Sequence, residues 1–213
     1  MNGIEYVFYS GGFDTTYYLL ECLLVKKIKV QPIVVKVPYI DGVNLKRISQ
    51  YQEEVSRNNF YSNFKKKYPN LQKNLLKEIV YVNQTTLNDD TLELGKLAFK
   101  KNIFSREVNQ LLYFHQVCKD NNFNSTVVGY QKDDNLSNEG VEFLKNELGF
   151  KIPMANITKK KMLDNAIKNG FDSFLYETWS CWNPLPGNKP CKKCELCKKT
   201  IVDTKLDFNK TLI

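Results

Sequence analysis

"IEYVFYSGGFDTT", Ile4 through Thr16, is the stretch that decides the fold. Ile4 to Tyr9 reads as an apolar strand. It passes without pause into Gly11-Gly12, and an amphipathic helix, carrying Leu19, Leu20, Leu23 and Leu24 on one side, is predicted from about Thr15 to Lys27. A strand that turns on two glycines into a helix is suited to receive an oxyanion. The first N–H groups of the helix lack intrahelical acceptors, the helix dipole adds partial positive charge, and glycine lets a phosphate approach the backbone. Ser10, Thr15 and Thr16 add hydroxyl donors. Asp14 would repel phosphate, so it points to Mg²⁺ or to bracing of the loop. A tight strand-to-helix connection capped by Asp14 is the alternative. The stretch has neither the Gly-Lys-Ser/Thr ending of a Walker loop nor the third glycine of a dinucleotide fingerprint.

Outward from this unit the alternation repeats. A second apolar run, "VQPIVVKV" (Val30 to Val37), is followed by a polar helix around Leu45 to Lys67 and a strand "EIVYVN" (Glu78 to Asn83). Then come a helix from about Ser105 to Asp120, a strand "STVVGY" (Ser125 to Tyr130) and a helix near Ser137 to Leu148. Near-continuous apolar strands between helical patterns predict an α/β fold, a doubly wound and mostly parallel sheet, with ligands collecting at the carboxyl ends of its strands. After Lys151 the pattern changes to a Pro-containing link, a short helix from Thr158 to Lys168 and a cysteine-rich segment. The expected division is a nucleotide-binding α/β domain over residues 1–151 and a helical, four-cysteine annex over 152–213.

With 213 residues, 42% of them hydrophobic, the chain can bury a real core as one domain with a small appendage. The net charge of +8 suits nucleic acid or an acidic small molecule, but the lysines fall in short scattered runs that read as solvated surface. No apolar window reaches the roughly 18 residues of a membrane span, and no basic flank precedes an apolar signal core, so a cytoplasmic location is expected. Cys22 and Cys118 lie alone in helical patterns and read as small core residues, as does His115 in "QLLYFHQVC" as a packed or surface histidine. Cys181, Cys191, Cys194 and Cys197 are spaced C-x9-C-x2-C-x2-C, which brings neighbouring thiolates onto one metal, with lysines 189, 192, 193, 198 and 199 to offset its negative charge. Structural zinc is expected. An iron-sulfur cluster is the rival, because C-x2-C-x2-C also opens a ferredoxin run.

Ser10-Gly11-Gly12-Phe13-Asp14-Thr15 resembles the Ser-Gly-Gly-x-Asp-Ser/Thr signature of the PP-loop ATP pyrophosphatase superfamily. Thr178-Trp179-Ser180-Cys181-Trp182 and the three-cysteine comb after it resemble the C-terminal zinc knot of the 7-cyano-7-deazaguanine synthase family, which makes a 7-deazaguanine on the way to queuosine. The resemblance implies that Tyr9, Ser10, Gly11, Gly12, Phe13, Asp14, Thr15 and Thr16 bind ATP, with Asp14 and Ser10 catalytic. Asn102, in a Lys101-Asn102-Ile103-Phe104 segment like the family's Arg-Asn-x-x-Phe, and Lys161, in the run Lys159 to Lys161, are further candidates carried over from it. "VVGYQKDD" resembles the family's strand leading to a glycine and an acidic residue, but the family's Tyr-Pro-Asp-Cys phrase is replaced after Asp134 by "NLSNEGVEF". Trp179 and Trp182 either stack a planar substrate or pack the knot onto the sheet.

The implied activity is an ATP-dependent carbon-nitrogen ligase that adenylates a carboxylate on a small heterocycle, releases pyrophosphate, and uses ammonia to form an amide and then a nitrile. Its cofactors would be structural Zn²⁺ and, with ATP as substrate, Mg²⁺. No stable nucleic-acid complex and no membrane partner are expected, and a homodimer is compatible with the sequence. Two alternatives stand beside it: a PP-loop enzyme that thiolates tRNA, which the positive charge would serve, and a catalytically idle nucleotide- or zinc-binding protein with an altered substrate pocket.

Overall fold

The computed structural model describes residues 3–36, 49–82, 86–103, 108–134 and 136–204. Strand β1 (Ile4–Phe8) pairs in parallel with β2 (Lys29–Lys36), Ile4 opposite Lys29 and Phe8 opposite Ile33. On its other side β2 pairs in parallel with β3 (Ile79–Val82), Ile33 opposite Ile79. The chain then returns to the far side of β1. Val127 bridges Val7, and Lys151 bridges Val127, both in parallel. The sheet therefore grows outward from β1 through β2 to β3 and afterwards in the opposite direction, so its topological switch point lies between β1 and Val127. Ligand crevices open at such a point, at the carboxyl ends of the strands.

Both faces of the sheet are covered, as a doubly wound fold requires. Successive residues of a strand face opposite sides, and here Val7 and Val127 enter one core while Phe8 and Val128 enter the other. The first core packs α1 (Phe13–Leu20), α2 (Gln50–Lys67) and α6 (Lys159–Lys168) through Tyr17, Leu20, Phe60, Phe64, Met162 and Ala166. The second packs α3 (Asp89–Lys100), α4 (Val108–Asn121) and α5 (Asn138–Asn146) through Ala98, Leu111, Leu112, Phe143 and Leu144. Phe171, at the start of a 3-10 turn at Asp172–Glu177, and Leu175, within it, join the first core. The last helix, α7 (Glu195–Thr204), carries the final cysteine.

Several elements differ in detail from the sequence reading. The predicted helix from Thr15 to Lys27 begins earlier, at Phe13, and changes after Leu20 into a π-helical turn over Glu21–Val25 that buries Cys22 and Leu23. Helix α3 was not predicted. Gly95 interrupts its apolar pattern and sits against α4, where a Cβ would lie 2.9 Å from Leu112 Cδ1 and require that side chain to shift. Its start is signalled by Asn88, whose side chain accepts from Thr91 N at 2.9 Å. The beginning of the predicted polar helix at Leu45, and Ser105 at the start of the next, lie outside the described residues. The predicted strand at Ser125 to Tyr130 is reduced to a short ladder: Val127 N donates to Tyr6 O (2.8 Å) and Val128 N to Lys151 O (3.1 Å).

Candidate functional site

Tyr9 extends β1 by one residue, its N–H donating to Ile33 O at 2.8 Å, and the chain then turns at the switch point. Gly11 has φ +81°, and a Cβ on it would sit 2.8 Å from Glu53 O and 3.1 Å from Arg57 Cγ, so no other residue fits without moving the backbone of α2. Gly12 is the N-cap of α1 in extended conformation, and its carbonyl accepts the first helical bond from Thr16 N at 3.0 Å. Gly12 N donates to Ser10 Oγ at 3.2 Å. On the facing side of the crevice, just beyond Val128, a Cβ on Gly129 would fall 2.5 Å from Thr15 Cγ2. Glycine at that position is what allows the first turn of α1 to come this close.

The side chains of the loop divide into two sets. Tyr9, Phe13 and Thr16 are buried beneath it, and Thr16 Oγ1 donates to the Tyr9 hydroxyl at 3.4 Å. Burial holds the Tyr9 phenol protonated, well above its ordinary value. Ser10, Gly12 and Asp14 remain partly exposed at the mouth, with Thr15 at its margin. The lysine that reaches this mouth is Lys159. Its side chain is 3% exposed and its Nζ lies 3.8 Å from Asp14 Oδ2.

Lys161, by contrast, is exposed on α6, and only its backbone N–H has a local role, donating to the Thr158 cap at 3.1 Å. The reason is helical periodicity. Lys159, Met162, Leu163 and Ala166 form the buried face of α6, and Lys161 falls off that face. Asn102 is also exposed, at the end of α3, where its φ of +53° closes the helix and Ile103 N reaches back to Ala98 O at 3.0 Å. Phe104, in the same segment, lies outside the described residues.

Sequence reasoning passed over two groups that the structure brings to the loop. Ser56 of α2 is 2% exposed, and its hydroxyl contacts both Gly11 O (2.9 Å) and Glu177 O (3.0 Å). Trp179 N donates to Gly11 O at 3.1 Å. In sequence, Ser56 stands in the polar run "EEVSRNN", which gives no sign of burial. Below the same loop, the nearly buried Arg57 faces Glu78 at 3.3 Å, Nε to Oε2, and burial, with Tyr9 and Glu78 nearby, raises the Tyr61 phenol far above its ordinary value.

The thiol sulfurs of Cys181, Cys191, Cys194 and Cys197 all lie within 4.8 Å of one another, and none is in a disulfide. Tetrahedral zinc with bonds of about 2.3 Å separates its sulfurs by about 3.8 Å. Cys191 and Cys197 already stand 4.0 Å apart. Backbone N–H groups aim at the sulfurs, Cys191 N to Cys181 Sγ at 3.2 Å and Cys194 N to Cys191 Sγ at 3.3 Å, as suits thiolates. Burial pushes the Cys181 thiol up to about 11 and Cys197 higher still. At Cys191 burial acts in the same sense, but N–H donation from Cys194 and Lys193 outweighs it and brings the thiol down to about 6. The donor set is thus chemically fit for one soft cation.

Trp179 packs on this knot, and its indole N–H donates to Cys181 O at 2.7 Å. A second tie joins annex and sheet: Lys199 Nζ stands 3.4 Å from Asp134 Oδ1, and Asp134 also accepts from Gln131 N at 2.9 Å, just past Gly129. The remaining cysteines are inert by comparison, burial raising both Cys22 and Cys118 to about 11. His115 Nδ1 contacts Leu148 O at 3.0 Å, and burial lowers its pKa, consistent with a packed histidine.

Residues 120–201 match the family described as queuosine biosynthesis protein QueC. This segment of the chain is QueC-like. It includes Gly129, Asp134, Lys159, Trp179 and all four clustered cysteines, and it excludes the loop at Ser10 to Asp14. A 7-cyano-7-deazaguanine synthase of Erythrobacter litoralis (strain HTCC2594) is 39% identical over 51 residues, which is 23% of this chain and 20% of that protein. The match therefore spans about a fifth of the relative's length.

Among solved structures, a predicted subunit of tRNA methyltransferase from Methanocaldococcus jannaschii aligns with 77% of this chain and 74% of its own, at TM-score 0.38 and 15% identity. U34-tRNA thiolase NcsA from Methanococcus maripaludis, solved with its [4Fe-4S] cluster, aligns with 100% of this chain and 84% of its own, at TM-score 0.37 and 13% identity. No helix among the described residues is long and apolar enough to cross a membrane.

Proposed function

We propose that this chain is an ATP-dependent ligase of the 7-cyano-7-deazaguanine synthase type, forming AMP and pyrophosphate. The observation that carries the reading is a glycine turn at the sheet's switch point that opens the N-terminus of α1, with a buried lysine 3.8 Å from its aspartate and with Gly11 O bonded to the backbone that enters a QueC-like cysteine knot.

ATP places its β and γ phosphates over Gly11 to Thr15, where the first N–H groups of α1 and the Ser10 and Thr15 hydroxyls serve as donors. Lys159 supplies a fixed positive charge, and Asp14 serves both to hold that lysine and to receive Mg²⁺. An oxygen of the substrate carboxylate attacks the α-phosphorus, the bond to the bridging oxygen breaks, and pyrophosphate leaves carrying the electron pair. Ammonia then attacks the carboxyl carbon and AMP departs, leaving an amide. Adenylation of the amide oxygen by a second ATP, followed by loss of AMP and a proton, gives the nitrile. The chain's contribution is placement and preorganised charge facing the leaving pyrophosphate.

Cys181, Cys191, Cys194 and Cys197 would hold zinc as a structural ion. With four thiolates the site is closed and offers no position to substrate. A cubane cluster takes one thiolate at each separate iron and would hold the sulfurs farther apart than the 4.8 Å seen here, which favours a single ion. The test is incubation of the protein with ATP, Mg²⁺, ammonia and 7-carboxy-7-deazaguanine, with amide and nitrile sought by mass spectrometry. Sulfur incorporation into tRNA, with neither product formed, would instead establish the thiolation alternative.

A further inference from the structure

The Gly11–Gly12 peptide is gripped by its oxygen. Ser56 Oγ reaches that oxygen at 2.9 Å from α2, and Trp179 N reaches it at 3.1 Å from the annex. In a planar trans peptide the N–H points opposite to the C=O. Two donors drawing the Gly11 oxygen toward α2 and the annex therefore hold Gly12 N–H turned away from both, where it meets Ser10 Oγ at 3.2 Å. Glycine is the residue type whose flanking peptides reorient most freely. Without the grip, Gly11 could exchange its left-handed conformation for others and present a carbonyl oxygen where the loop must present a donor.

We infer that Ser56 is a positioning residue for the anion site: its buried hydroxyl, together with Trp179 N–H, fixes the orientation of the Gly11–Gly12 peptide and so aims Gly12 N–H at bound phosphate. The inference rests on the reading of the loop as the ATP phosphate site. Ser56 has one proton to share between two carbonyls, Gly11 O and Glu177 O at 3.0 Å, and so it ties the loop to the segment entering the cysteine knot. Trp179, the other donor, is itself tied to that knot through its indole bond to Cys181 O at 2.7 Å. Gly11 presses on α2 so closely that a Cβ would lie 2.8 Å from Glu53 O. The loop and its support therefore behave as one packed contact.

The experiment compares wild type and Ser56→Ala for Mg²⁺-ATP and pyrophosphate binding by calorimetry, for KM and kcat of AMP formation, and for metal content. Thr200→Ala, which removes a buried hydroxyl bonded to Leu196 O at 2.8 Å on α7, controls for loss of an internal hydrogen bond elsewhere. Ser56→Ala should bind both ligands about tenfold more weakly and raise KM for ATP by a similar factor, with kcat reduced less, as expected for one hydrogen bond to the loop. Metal content should stay at the wild-type level, and Thr200→Ala should leave ATP affinity unchanged.

An independent measurement uses the wild-type protein labelled with ¹⁵N, in which pyrophosphate should shift the Gly12 amide resonance strongly. Wild-type affinity in Ser56→Ala, or a Gly12 amide that ignores bound pyrophosphate, would overturn the inference while leaving the ATP reading standing. A wild-type protein that binds neither ATP nor pyrophosphate would overturn both.

Discussion

The loop at Ser10 to Asp14 stands on a large apolar foundation, whereas the knot at Cys181 to Cys197 encloses little beyond its own sulfurs and Trp179. Beneath the loop lie Tyr9, Phe13, Tyr17, Leu20, Phe60 and Phe64, each nearly inaccessible, in a core that continues through Met162 and Phe171. The knot's cluster is Trp179, Cys181 and Cys197 with Cys191 and Cys194 packed against them. Burial of apolar surface holds the first; the second is too small to offset the entropy of ordering its own loop in that way, and metal–thiolate bonding is the support proposed for it. The same crevice thus rests on two supports of different kinds. They meet at one carbonyl, Gly11 O.

The largest effect should come from removing the metal's support. Cys194→Ser is expected to lose the ion and to disorder the chain from about Thr178 onward, since binding free energy of roughly 10 kcal/mol in small zinc modules is also their folding energy. The sheet and α6 should persist, because Phe171, Phe174 and Leu175 belong to the large core. Metal analysis with hydrogen exchange checks this, and loss of protection throughout β1 and β2 would show that the supports are not separable. Cys118→Ala should leave metal content untouched, since that thiol contacts Thr126 Oγ1 at 3.2 Å within the other core.

Next in size is Asp14→Ala, which should abolish AMP and pyrophosphate release while leaving fold and metal content intact. Lys159→Ala should follow, lowering kcat/KM by roughly 10² to 10³, the range seen when one preorganised charge-stabilising group is removed. Lys161→Ala, three positions from the Thr158 cap and facing solvent, should change kcat/KM less than about twofold, within the ±0.5 kcal/mol usual for surface changes. Equal effects of the two lysine variants would sink the assignment of Lys159 to the loop.

The smallest effect concerns charge. If the +8 chain acts on a small molecule, its affinity for tRNA should be weak and should fall steeply with salt, as nonspecific phosphate contacts do. Tight binding that resists salt would instead favour an RNA substrate.

The sequence was most readable where a local rule and the tertiary environment agree. Near-continuous apolar runs at Ile4 and Val30 gave parallel strands, and Gly11-Gly12 marked the turn whose φ of +81° only glycine adopts without strain. The cysteine spacing brought its sulfurs together for the reason that spacing implies, short turns of fixed reach. It was least readable where a polar residue is buried to reach an acceptor distant in the chain. Ser56 and Gln52 lie on a helix that looks solvated, yet Ser56 meets Gly11 O and Gln52 Nε2 donates to Asn188 Oδ1 at 3.0 Å, across to the annex. No local pattern encodes an acceptor that arrives from a loop far away in the chain. Lys159 is an intermediate case. The apolar spacing of Met162, Leu163 and Ala166 carries a signal that puts it on the buried face of α6 and Lys161 outside, but the family likeness alone singled out Lys161.

A switch-point loop that holds the pyrophosphate of ATP while a substrate oxygen is adenylated fixes the nucleotide product as AMP. Identification of the nucleotide product tests it most directly, with metal-replete protein, Mg²⁺-ATP, ammonia and 7-carboxy-7-deazaguanine. AMP and pyrophosphate should appear in equal amounts, formed only with the acid present and lost in Asp14→Ala; ADP and orthophosphate, or undiminished AMP formation by that variant, would rule out this role for the loop.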